Sequence, residues 1–190
     1  MCQDPNKAVR TCQVTTGRSA ARCLVLAAML AATALRAALA ADSIAVLGIE
    51  LVKTDPNSGG EQLTAKEQAR LDRTATQMRE QLAGAGYRVV TVERTQAALA
   101  ADPHGQYLHA CNGCELDYGR DLGADWVLVG WVQHVSNLIL NLNVLVKGVE
   151  TGELIANGFV DLRGNTDKSW ARATRYLMDN LLLERLDAKR

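Results

Sequence analysis

Three consecutive apolar-rich runs joined by two short turns constrain this chain most: Trp126–Val135, Leu138–Val149 and Leu154–Arg163. Each is rich in Val, Leu and Ile and is long enough for a strand. Ser136-Asn137 and Glu150-Thr151-Gly152-Glu153 leave room only for tight connections, so the three runs predict an antiparallel meander. A sheet of this kind has to bury at least one face, and the elements before and after it must supply the cover.

Taking Ser136-Asn137 as the two loop residues pairs Val135 with Leu138, Trp131 with Leu142 and Val129 with Val144. Carrying like faces through the second turn places Leu142 near Val160 and Leu140 near Leu162. One face is then Val127, Val129, Trp131, Val135, Leu138, Leu140, Leu142, Val144, Val146, Val160 and Leu162, with Gln133 its one polar member. That is the expected core face. The opposite face collects Gly130, His134, Asn141, Asn143, Lys147, Asn157, Asp161 and Arg163 among Leu128, Val132, Leu145 and Phe159. Asparagine is depleted in strands, so this face is either a wet surface or an interaction face, with His134, Asn137, Asn141, Asn143, Asn157, Asp161 and Arg163 as its candidate residues.

The preceding chain reads as the first half of an α/β layer. Ser43–Val52 is a buried strand. Thr64 followed by Glu67 fits a capping box that opens a helix to about Ala83. Leu71, Ala75, Met78 and Leu82 form its apolar stripe, and Lys66, Arg70, Arg73 and Glu80 its solvated face. Tyr87–Glu93 is a second strand, parallel to the first through a right-handed crossover. Thr95–Ala101 is a short helix or turn, and Glu115–Leu122 a helical piece ending at Gly123. After the meander, Asn165-Thr166-Asp167 offers caps for a closing helix whose stripe is Trp170, Ala173, Leu177, Met178, Leu181 and Leu182. Leu186–Arg190 is expected to fray. The expected fold is therefore one α/β domain, residues 41–190, with a five-stranded mixed sheet and helices mainly on one face.

Residues 1–40 carry the grammar of a secretory signal peptide with a long basic region. Arg18 and Arg22 precede the apolar run Cys23–Leu35, and Ala38-Leu39-Ala40 precedes Ala41-Asp42. Cleavage near Ala40 would deliver a periplasmic chain with no stable membrane insertion. That segment holds five basic residues and one acidic residue, leaving 16 basic against 20 acidic in the remainder. A net negative surface gives no electrostatic reason to bind nucleic acid.

Only Cys111 and Cys114 remain after such cleavage. In an oxidising compartment they fit a structural disulfide closed over the Asn112-Gly113 turn. A thiol-redox pair is the second reading. A metal site of His109, Cys111 and Cys114, with His104 as a fourth ligand, is the third. Gly59-Gly60 lacks a phosphate-loop pattern. No cofactor is called for, and none of the three histidines stands in a sequence setting that nominates a nucleophile or acid–base pair, so no enzymatic activity is expected.

The stretch CNGCELDYGRDLGADWVLVGWVQHVSNLILNLNVLVKGVETGELIANGFVDLRGNTDKSW resembles a family of small secreted bacterial proteins known only as a domain of unknown function. The likeness is best in the Cys pair, LGAD, VSNLILN, TGE and RGNTDKSW. More distantly, the run GAD-x-V-L-x-G-x-V, followed by a strand and TGE, is similar to the amino-terminal α/β domain of TolB-like and curli-assembly CsgG-like envelope proteins. That resemblance implies a compact module that contacts an envelope protein without catalysis. The alternative is redox or metal handling through the Cys pair.

Overall fold

The structure, a computed structural model, describes residues 42–53, 63–101, 108–136 and 138–190. The segment 1–40 read as a signal peptide, the loop 55–60, His104 and Asn137 lie outside the described residues. Five strands form one mixed sheet: β1 (Ser43–Lys53), β2 (Arg88–Val89), β3 (Trp126–Ser136), β4 (Ile139–Gly148) and β5 (Leu154–Arg163). Their order is β2-β1-β3-β4-β5. β1 runs parallel to both β2 and β3, and β3-β4-β5 is the antiparallel meander.

Helix α1 (Ala65–Gly84) starts where the sequence predicts. The Thr64 hydroxyl accepts from the Glu67 N–H, and the Glu67 carboxylate accepts from the Thr64 N–H, which satisfies two donors of the first turn. Its stripe of Leu71, Ala75, Met78 and Leu82 is buried. Arg70, expected in solvent, is buried instead. Its Nε donates to Asp167 at 2.7 Å and its Nη1 to Asn165 at 2.6 Å, so it fastens the closing helix onto α1. The expected strand 87–93 shrinks to Arg88–Val89. After Val90 donates to Ile44, the chain turns at Thr91 into α2 (Val92–Ala100), which takes Ala98 and Leu99 to the other side of the sheet.

Helix α3 (Cys114–Leu122) ends at Gly123, whose φ of +63° closes a left-handed cap. Gly119 lets α3 lie flat on the sheet: a Cβ there would stand 2.5 Å from Val149 and 2.6 Å from Val127. Asp125 then clamps the start of β1, accepting from the Ser43 N–H at 2.8 Å and the Ser43 hydroxyl at 2.6 Å. These three interactions explain the GRDLGAD stretch.

The closing helix α4 (Asp167–Leu177) is capped by Thr166 against Ser169. It continues through a π turn (Met178–Leu182) into α5 (Leu183–Asp187). The tail does not fray. Leu186 is fully buried, the Tyr87 hydroxyl donates to Asp187 at 2.8 Å, and the Arg190 guanidinium sits over the Tyr87 ring at 4.1 Å.

Register corrects the expected faces of β3. The register of β4 and β5 is as read, with Leu142 opposite Val160 and Leu140 opposite Leu162. On β3, however, Trp131 lies opposite Asn143 instead of Leu142, and Val129 opposite Leu145 instead of Val144. Ser136 is not a free loop residue. It pairs with Ile139, and its hydroxyl accepts from the Leu138 and Ile139 N–H groups; a bulge at Val135 follows. The net slip of one residue exchanges the two faces of β3. Leu128 and Val132 thus join Leu140, Leu142 and Val144 in the large core under α1, α4 and α5. Val127 and Val129 enter a second core with Ala45, Leu47, Tyr118 and Leu122 under α2 and α3. The two long helices share one face, and the two short ones cover only part of the other.

Because Leu186 is enclosed, Leu186→Ala should lower the unfolding free energy by about 2–5 kcal/mol in a denaturant titration. Leu138→Ala, at a side chain 78% exposed, should change it by less than about 0.5 kcal/mol. Equal effects would mean that the tail frays after all.

Candidate functional site: a half-covered sheet face

Side chains of the second face line up in rows across the strands. Glu50, Trp131, Asn143 and Phe159 form one row, and Val52, Gln133, Asn141 and Asp161 the next. Leu145 and Asn157 flank the first row on the other side. The segment Leu108–Leu122 lies over one half of this face and leaves the other open.

Two carboxylates fasten the covering segment. Glu50, from β1, accepts from the Leu108 N–H at 2.5 Å and the His109 N–H at 3.3 Å, and also meets His109 Nδ1. The His109 ring stacks on Trp131 with centroids 5.7 Å apart and planes 28° from parallel. Glu115, on α3, is the second. It is 2% exposed. Its Oε1 pairs with Lys147 Nζ of β4 at 2.5 Å, and its Oε2 accepts from the Gly113 N–H at 3.0 Å. Burial pushes this carboxyl up. The Lys147 ammonium and the surrounding backbone N–H donors outweigh that and hold it below the ordinary glutamate value.

Cys111 and Cys114 are joined by a disulfide across the turn of Asn112, with φ +54°, and Gly113, with φ +120°. Glu115 Oε2 stands 3.2 Å from Cys111 Sγ. A negative charge at that distance disfavours a thiolate on Cys111, which works against its use as a redox nucleophile. The donor atoms that gather within 4.8 Å are those of Cys111, Cys114 and Glu115. His109, the ligand expected with the two cysteines, is turned onto Glu50.

The open half holds Asn141, Asn143, Asn157, Asp161 and Arg163, all on one face as expected. Asn141 donates to Asp161, Asn143 donates to the Asn141 carbonyl at 3.3 Å, and Asn157 accepts from Arg185. His134 does not belong with them: it lies opposite Leu140, on the face of the large core, because of the slip in β3. Phe159 is 67% exposed at the end of the first row. Trp131, read from sequence as core, is half-buried at the boundary between the covered and open halves. Glu50 and Glu115 were missed as anchors, although a lone carboxylate within an apolar strand and one directly after a C-x-x-C are both visible signals. An open groove of about 830 Å³ lies elsewhere, between α1 and α4, and its buried cation Arg70 is already engaged by Asp167 and Asn165. Among the described residues, no helix is long and apolar enough to cross a membrane.

The chain belongs to the family described as "Protein of unknown function (DUF2380)", whose DUF3280 model matches residues 42–182. No curated protein matches it. Solved structures similar to it include the LpoB C-terminal domain from Salmonella enterica, at 18% identity and TM-score 0.45 over 64% of this chain and 82% of that one. Lipoprotein GNA1162 from Neisseria meningitidis is 18% identical, with TM-score 0.46 over 66% of this chain and 82% of its own. TolB from Acinetobacter baumannii is 10% identical, with TM-score 0.38 over 74% of this chain and 28% of its own.

The Lys147–Glu115 pair makes a pH prediction. Glu115 has a lowered folded pKa. Its contribution is therefore complete above the ordinary glutamate value and is lost as pH falls through the lowered one. Lys147→Met should cost about 1–3 kcal/mol at neutral pH by leaving the carboxylate unpaired. The gap to the wild type should close as pH falls through the carboxylate range, measured by denaturant unfolding at each pH. A gap independent of pH would assign the loss to packing.

Proposed function

We propose that this member of the DUF2380 family is a non-enzymatic accessory module of the bacterial envelope. In this reading residues 1–40 export the chain to the periplasm, cleavage falls near Ala40, and the open half of the second sheet face holds a partner protein. The observation that carries it is Phe159, a large aromatic side chain 67% exposed in the middle of a strand, in line with half-buried Trp131. Ile139 shares its face at 58% exposure, and Val135 and Leu138 extend the apolar surface at the hairpin end. Around them stand amides, Asp161 and Arg163. An aromatic anchor within a polar rim is the composition of a protein-contact patch. Hydrogen bonds among the amides hold the patch in shape, so a partner meets a surface that is ordered beforehand.

The alternative reading, redox or metal handling through Cys111 and Cys114, draws on the same face. Glu115 beside Cys111 favours a stable disulfide that braces the covering segment.

A photocrosslinking amino acid placed at Phe159 in the periplasmically expressed chain should give a discrete adduct that is missing when it is placed at Tyr176, exposed on α4. Phe159→Ser combined with Asn141→Thr and Asn143→Thr should lower recovery of that adduct's partner at least about tenfold. The melting temperature should stay within a few degrees. Identical adducts at both positions, or undiminished recovery, would sink the partner face. Amino-terminal sequencing should find Ala41 first, and an intact leader on the periplasmic chain would refute cleavage.

A further inference from the structure

We propose that reduction of the Cys111–Cys114 disulfide uncovers a site for one soft divalent cation of the Zn²⁺ class, held by the two sulfurs and Glu115 Oε2. The proposal is independent of the partner face. Its basis is the direction of a buried carboxylate. Glu115 is enclosed, its Oε1 is taken by Lys147, and its Oε2 receives the Gly113 N–H while facing Cys111 Sγ at 3.2 Å. A disulfide sulfur has no proton to donate, so in the oxidised chain this oxygen–sulfur contact is not a hydrogen bond. In the reduced chain the same oxygen and two sulfurs become three donors already gathered within 4.8 Å.

The chemistry balances. An external dithiol supplies two electrons and two protons; the S–S bond breaks, the dithiol closes to its own disulfide, and Cys111 and Cys114 become thiols. A divalent ion displaces both thiol protons to solvent and forms two metal–sulfur bonds and one metal–oxygen bond. The three negative charges are then offset by the ion and by the Lys147 ammonium. Two cysteines three apart across a turn with positive φ, the second opening a helix, have a spacing used by zinc-binding half-sites. Lys147 acts from behind by fixing the carboxylate, as outer partners of metal ligands do. With three protein ligands, one coordination position stays open to water.

Cd²⁺ titrated into the mature chain, reduced with a phosphine, should give one equivalent of a sulfur-to-metal charge-transfer band in the ultraviolet. The oxidised chain and the Cys111→Ser/Cys114→Ser double variant should give none. Glu115→Gln should weaken binding about tenfold or more. Because that variant alters a buried group, the wild type supplies a second readout: the ¹¹³Cd chemical shift should report two sulfurs with oxygen. The idea is overturned if reduced wild type binds no tighter than the double variant, if folded Glu115→Gln binds like wild type, or if the shift shows no sulfur. It is also overturned if the reduced chain unfolds and Cd²⁺ fails to restore its fold.

Discussion

The pairing of β3 with β4 decides which side chains of this protein share a face, and the rest of the structure depends on it. Ser136 sets that pairing at the hairpin end by accepting from two backbone N–H groups, and the bulge at Val135 then adds one residue to β3. A slip of one residue reverses every side chain of a strand. With the register as it is, Leu128 and Val132 complete the large core, and Trp131 stands between Glu50 and Asn143. With the slipped register, Trp131 would enter the large core, and His109 would lose the ring it stacks on.

The two faces differ because their helices differ in length. The strands of the meander are ten or eleven residues long, roughly 33–36 Å. Helix α1 and the α4–α5 run are each about 30 Å and cover that length. Helices α2 and α3 have nine residues each, about 14 Å, less than half of it. Among the described residues the helices therefore leave part of the second face open, where β4 and β5 present Asn143, Phe159 and Asp161.

Local signals in the sequence were reliable where the chain satisfies itself locally. The Thr64–Glu67 box, the buried stripe of α1, the paired faces of β4 and β5 and the Asn112-Gly113 turn all depend on residues a few positions apart or on strict alternation. Features set by distant partners were hidden. Arg70 looks like a surface residue until Asp167 and Asn165 close on it, and Leu186–Arg190 looks like a loose end until Tyr87 receives it. The β3 register failed for a different reason: a serine hydroxyl competed with the turn that spacing alone suggests. The amide face was legible because asparagine is unusual in strands. Its aromatic edge was not, since Trp131 changed sides with the register.

Trp131 joins the two halves of the second face. On one side it stacks with His109, which Glu50 holds together with the Leu108 backbone. On the other it stands in line with Asn143 and Phe159. The covering segment is thus tied to β1 through Glu50, to β3 through Trp131 and to β4 through the Lys147–Glu115 pair. The disulfide lies within that segment, with its turn bonded to the same Glu115. The Cys111–Cys114 turn thus reaches β4, the strand that carries Asn141 and Asn143, through Glu115 and Lys147. The sulfur pair and the open half of the face are therefore joined by direct contacts, one ion pair on one side and one aromatic stack on the other.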